Sequence, residues 1–165
     1  MKVLVATGSK YGSTREIGNS IEAELAERGF DVEFMDAMDV RVVEPYDAVI
    51  VGSAVYGGLW RRDASDLLKQ HVQELRRRDV WTFSVGIETL VHPGQPKDEA
   101  YALCERVGAH GHERFVGAID STRLNVGERA LIRTLRPPLG DFRDFAVVRA
   151  WANKVGTQLA ELAMS

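Results

Sequence analysis

The chain has 165 residues, 45% hydrophobic and 27% charged, which fits one soluble domain over residues 1–165 that buries a core without disulfide staples. Its formal net charge of −3, from 21 Lys and Arg against 24 Asp and Glu, excludes the basic excess of a nucleic-acid binder. The single Cys104 excludes an internal disulfide and, without Cys or His neighbours in sequence, a zinc site; it reads as a reduced core thiol.

Val3-Leu4-Val5-Ala6 is continuously apolar and predicts a central strand covered on both faces. That run is shorter than the core of a signal peptide, and the longest uncharged run, Ala48 to Trp60, is shorter than a membrane-spanning helix, so a cytoplasmic location is expected. Ile17, Ile21 and Leu25 repeat at i, i+4 and i+8 and mark the first helix, with Ser13 and Glu16 as a capping box and Gly29 as the stop. Asp31-Val32-Glu33-Phe34 alternates, as an edge strand with one solvated face does. Ala48-Val49-Ile50-Val51 predicts a second central strand, and Leu68, Val72 and Leu75 a second long helix. The fourth strand is expected over Val80 to Val85 and the fifth over Phe115 to Ile119, interrupted by Gly117. Tyr101, Cys104 and Val107 mark the helix between them, and Val148, Trp151, Val155, Leu159 and Leu162 the last one. Such alternation predicts βα units in an α/β three-layer sandwich, around a five-stranded parallel sheet of order 2-1-3-4-5.

In that order the chain reverses direction between strands 1 and 3, and ligands bind in the crevice beyond their carboxyl ends. Two loops rich in small and hydroxyl residues meet there, Gly8 to Thr14 and Gly52 to Gly58. The first runs straight into a helix. Unpaired backbone N–H groups, the positive end of the helix dipole and the hydroxyls of Ser9, Ser13 and Thr14 suit a phosphate, although a plain βα turn would use the same glycines. The side chains of Lys10 and Arg15 read as solvated. A phosphoreceiver is excluded, because it needs carboxylates where the two strands end in Thr7-Gly8 and Gly52-Ser53. A P-loop NTPase is excluded as well, since no Lys-Ser or Lys-Thr pair follows the glycines at the required spacing.

These residues resemble the flavodoxin superfamily, whose phosphate loop sets hydroxyl residues around a glycine as Ser9, Tyr11, Gly12 and Thr14 stand here, with Tyr11 where a threonine is usual. Gly52-Ser53-Ala54-Val55-Tyr56-Gly57-Gly58 is similar to the loop that places an aromatic residue, here Tyr56, against the isoalloxazine ring. Gly12 to Ile17, Trp81 to Gly86 and Gly140 to Phe145 narrow the resemblance to flavodoxin-domain proteins related to menaquinone-dependent protoporphyrinogen oxidase. The resemblance implies a flavodoxin-like fold with flavin mononucleotide (FMN) as cofactor. It also implies a cofactor-binding set of Ser9, Lys10, Tyr11, Gly12, Ser13, Thr14, Ser53, Ala54, Val55, Tyr56, Gly57, Gly58, Ser84, Val85, Gly86 and Ile87. Gly86 to Pro93 lacks the stacking tyrosine of dedicated flavodoxins, which implies a more open flavin face.

By this resemblance the chain is an FMN oxidoreductase linking protoporphyrinogen oxidation to a quinone in heme biosynthesis; the flavin does the redox chemistry while the protein supplies anchorage and field. The alternative is an electron-carrier flavodoxin serving larger redox enzymes. No side chain is assigned as a catalytic acid or base, and His92 reads as an inert loop histidine. The segment Asp120 to Asp141 exceeds the usual connection of ~2 to 6 residues. Its Arg123, Arg129, Arg133 and Arg136 outnumber Asp120, Glu128 and Asp141, and Val126, Ala130, Leu131, Ile132 and Leu135 add apolar surface. It is expected to dock a substrate, a quinone or a membrane face, against the competing reading of a surface helix packed on its own domain.

Overall fold

Successive residues of a strand face opposite sides of its sheet, so a strand that is apolar throughout requires cover on both. The computed structural model describes residues 1–9, 12–56, 58–86, 99–119, 140–141 and 143–165. In it, β1 (Lys2–Gly8) turns Leu4 and Ala6 toward Val49, Val51, Leu68 and Leu75 on one face. Val3 and Val5 meet Ile17, Ile21, Leu25 and Leu159 on the other. The strands β2 (Asp31–Asp36), β3 (Ala48–Tyr56), β5 (Asp79–Gly86) and β6 (Gly111–Val116) join β1 in a parallel arrangement of order β2-β1-β3-β5-β6. This is the expected order 2-1-3-4-5 of five parallel strands. An added hairpin strand, β4 (Leu59–Trp60), lies antiparallel to the end of β3 through Val55 and Tyr56.

One layer of helices is formed by α1 (Ser13–Glu27) and α5 (Phe145–Met164); the other by α2 (Arg62–Gln70), α3 (Val72–Leu75) and α4 (Ala100–Val107). A 3-10 turn at Ala37–Asp39 follows β2. Helix α1 stops as expected: Gly29 takes a φ of +93° while its N–H and that of Phe30 donate to Ala26 and Leu25 carbonyls. Its start differs from the capping box. Gly12, at φ 89°, is the N-cap, Ser13 is already helical, and the Glu16 carboxylate is drawn to Arg143 instead of back to the cap. The second long helix is interrupted at His71, whose φ of −120° leaves the helical range. Leu162 is exposed rather than part of the core stripe of α5.

The last parallel strand begins at Gly111, earlier than its apolar residues suggest, because an edge position tolerates the polar run Gly111-His112-Glu113-Arg114. After Gly117 the chain leaves the main sheet. There β7 (Ala118–Ile119) pairs antiparallel with β8 (Gly140–Asp141), with Ala118 opposite Asp141 and Ile119 opposite Gly140. Among the described residues no helix is long and apolar enough to cross a membrane.

Candidate cofactor-binding site

Parallel pairing sets the carboxyl ends of three strands in register. Gly8 lies opposite Ser53, and Ser53 opposite Ser84, so the loops after β1, β3 and β5 leave the sheet side by side. The end of β3 is held there by close packing. Gly52 lies beneath the Phe83 ring, where a methyl group would meet ring carbons at 2.0 to 2.4 Å. Phe83 is itself fully buried against Phe115 and Trp151.

Around the end of β1 the structure gathers hydrogen-bond donors that have no partner among the described residues. The Ser9 hydroxyl accepts from the Gly12 N–H at 3.0 Å and closes the loop, and Gly12 supplies the left-handed backbone that turns the chain into α1. The first bond of α1 runs from Glu16 N to Gly12 O, which places the amides of Ser13, Thr14 and Arg15 ahead of the helical ladder. The N-cap itself, a glycine, offers them no side-chain hydrogen bond. Thr14 and Thr7 are 0% and 1% exposed, and their hydroxyls have no hydrogen-bond partner among the described residues. Buried hydroxyls are ordinarily paired, and an unpaired one costs roughly 1 to 3 kcal/mol. A phosphate, with several acceptor oxygens and negative charge, fits this donor set.

The basic residues nearby are mostly committed to carboxylates. Arg15 binds Asp36 through contacts of 2.6, 2.7 and 3.1 Å. Arg143 takes Asp141 at 2.7 and 2.8 Å, bonds Glu16, and donates to the Ser13 carbonyl at 3.3 Å. The Asp141 carboxyl is pushed down to about 2, first by its hydrogen bond from Arg143, and the Arg143 guanidinium is pushed up, first by that same bond. Arg143 is shared between Glu16 and Asp141, so it offsets part of the Glu16 charge in the first turn of α1, where an unpaired carboxylate would oppose a bound anion.

Beside it, Ser53 is fully buried; its hydroxyl donates to the Ala54 carbonyl and accepts from the Arg61 N–H, both at 2.8 Å. Ala54 and Val55 are buried in β3, and Gly58, at φ 79°, receives the Glu99 N–H on its carbonyl at 3.1 Å. Tyr56 ends β3, and its side chain lies outside what the structure describes. On β5, Val85 is buried, Gly86 ends the strand, and the Ser84 hydroxyl accepts from Trp60 Nε1 at 2.8 Å and lies 3.1 Å from His112 Nε2. His112 Nδ1 is 2.7 Å from Thr82 Oγ1, which is 2.7 Å from Cys104 Sγ, so the core thiol belongs to a polar chain that crosses from β6 to β5. Lys10, Tyr11, Gly57, Ile87, His92 and the stretch 120–139 lie outside the described residues.

Sequence reasoning missed Thr7, Arg61 and the link from Trp60 to His112. Thr7 was legible as the hydroxyl that ends an apolar strand. By contrast, the Trp60 link depends on the hairpin that folds β4 back onto β3.

The flavodoxin domain model matches residues 4–145, and the chain belongs to that family. Protoporphyrinogen IX dehydrogenase (quinone) of Escherichia coli is 28% identical over 91 residues, 53% of this chain and 49% of that protein. The chain thus spans about half the length of the curated relatives it matches. A Streptococcus pneumoniae flavodoxin superposes with a TM-score of 0.66 at 15% identity, covering 96% of this chain and 99% of that one. Two-electron reduced Megasphaera elsdenii flavodoxin gives 0.57 at 22% identity, over 69% and 85%. A Lactobacillus acidophilus flavoprotein in complex with FMN gives 0.53 at 18% identity, over 68% and 92%. These structures share the fold.

Proposed function

We propose that the chain, as one domain, binds FMN across the carboxyl ends of β1, β3 and β5 and passes electrons from a protoporphyrinogen-class donor to a quinone. The observation that carries the cofactor is the pair of buried, unpartnered hydroxyls of Thr7 and Thr14 beside the uncapped start of α1. The phosphate would be held by the loop Ser9 to Thr14, including Lys10, Tyr11 and Gly12, through hydroxyls and backbone amides. Residues Ser53 to Gly58 and Ser84 to Ile87 would border the flavin ring, with Tyr56 stacked on it. When bound, FMN supplies redox chemistry that side chains lack. The chain's own residues would anchor the phosphate, while Arg143 offsets part of the Glu16 charge beside it.

The donor and acceptor rest on the curated relative named above and on where the segment Asp120 to Asp141 begins and ends. Its described ends, Ile119 and Gly140, are paired just beyond Gly117, whose N–H donates to the Gly86 carbonyl at 3.0 Å. That places the base of the segment at the carboxyl edge, and we assign it the docking of substrate, quinone or a membrane face. Each oxidation step removes two electrons and two protons from the porphyrinogen and forms one quinol.

Purified protein should take up FMN with a shifted visible spectrum and bind riboflavin far more weakly. Anaerobic incubation with protoporphyrinogen and a menaquinone analogue should form porphyrin together with quinol. Equal affinity for FMN and riboflavin would reject the phosphate site. Tight FMN binding without porphyrin formation, but with electron delivery to a redox enzyme, would assign the chain the carrier function instead.

A further inference from the structure

We propose that Arg61 is the charged partner of the cofactor phosphate, an assignment that rests on the FMN reading above. Arg61 follows β4 directly and is seated against the end of β1. A methyl group on Gly8 would stand 3.1 Å from Arg61 Cβ and 3.0 Å from Ala64 Cβ, a close approach that glycine permits. Gly8 is the residue from which the chain enters the loop Ser9 to Thr14. The Arg61 backbone is fixed as well, since its N–H donates to the buried Ser53 hydroxyl at 2.8 Å. The start of the guanidinium arm is therefore pinned between the ends of β1 and β3, where the chain reverses its winding.

What distinguishes Arg61 from the other arginines around the site is that its side chain has no partner among the described residues. Arg15 is held by Asp36, Arg143 by Asp141 and Glu16, and Arg62 pairs with Asp66 at 3.8 Å. No carboxylate among the described residues pairs with Arg61, and its Nε is buried without a hydrogen-bond partner. A guanidinium carries only donors, and burying one of them unpaired is costly. The other buried unpartnered side-chain atoms among the described residues are the hydroxyls of Thr7 and Thr14, in β1 and in the first turn of α1. Thr7 and Gly8 turn to opposite faces of the sheet, so the three groups flank the end of β1 from both sides. Donors that all await acceptors, one of them cationic, define a receptor for an anion with several oxygens, and the FMN phosphate is that anion.

The test compares FMN and riboflavin titrations of the wild-type chain, Arg61→Gln and Arg61→Lys, with the thermal midpoint of each flavin-free protein. Arg61→Gln should weaken FMN by about tenfold or more and leave riboflavin within about twofold, while Arg61→Lys falls between. The dependence of FMN affinity on salt should flatten in Arg61→Gln, and the flavin-free midpoint should stay level or rise. Equal losses of FMN and riboflavin would overturn the assignment in favour of a contact with the ring or a structural role. Unchanged FMN affinity would overturn it too, with the FMN reading intact. A wild-type chain that binds neither flavin would overturn both.

Discussion

Replacing Thr14 by valine removes one buried hydroxyl and keeps the β-branched shape, so it separates the needs of the folded chain from those of its ligand. Thr14 is 0% exposed, its Oγ1 has no partner, and it lies in the first turn of α1. An unsatisfied buried polar group costs about 1 to 3 kcal/mol, so Thr14→Val should stabilise the flavin-free protein by roughly 1 kcal/mol. At this chain length that is a rise of about 2 to 4 °C in the midpoint. The same hydroxyl bonded to a charged phosphate is worth about 1.5 to 3 kcal/mol, so FMN affinity should fall by about tenfold to a hundredfold. Urea unfolding of the flavin-free protein and quenching of FMN fluorescence measure the two effects, and Thr14→Ser serves as the control that retains the hydroxyl. A less stable flavin-free Thr14→Val with unaltered FMN affinity would refute the reasoning, since the hydroxyl would then have an internal acceptor and the phosphate another seat.

Gly52→Ala should destabilise the protein by about 3 kcal/mol or more, because its methyl meets the Phe83 ring and Phe115 and Trp151 bar that ring from moving. Urea unfolding of Gly52→Ala, Phe83→Leu and the double variant should show that the smaller side chain recovers part of the loss. The Tyr46 hydroxyl is pushed from 10.0 up to about 12, first by burial and then by its hydrogen bond to Glu33. A raised value means that this contribution to stability is complete below the ordinary tyrosine range and is lost as pH rises through about 12. Tyrosinate absorbance should follow that late titration, and Glu33→Gln should bring it back toward 10.0.

The sheet order was legible because the runs Val3 to Ala6 in β1 and Ala48 to Val51 in β3 are continuously apolar and β2 alternates, which leaves little choice about which strands are central. The turn from β1 into α1 was legible from its glycines and hydroxyls at the end of an apolar run. What escaped depends on contacts distant in sequence. Ser13 and Glu16 have capping-box spacing, yet the cap fails because Gly12 already turns the chain and Arg143, distant in sequence, takes the carboxylate. Arg61 resembles any surface arginine in sequence; its place beside Gly8 follows from the β3–β4 hairpin. The chain of Thr82, Ser84 and His112 joins adjacent strands in register, Thr82 opposite His112, and register between separate strands is a tertiary property.

The pairing of β7 with β8 bears on how such a chain can diversify. Residues paired across an antiparallel ladder stand roughly 5 Å apart, so Ile119 and Gly140 are close enough for a short turn to join them directly. A turn of that kind between Ile119 and Gly140 would preserve the β7–β8 pairing, and the described pairing of the parallel strands and the Gly52–Phe83 packing are made by residues outside 120–139. Lengthening costs little, since loop-closure entropy grows only with the logarithm of length. A chain closed by such a pair can vary the length of what lies between two neighbouring residues at little cost to the closure.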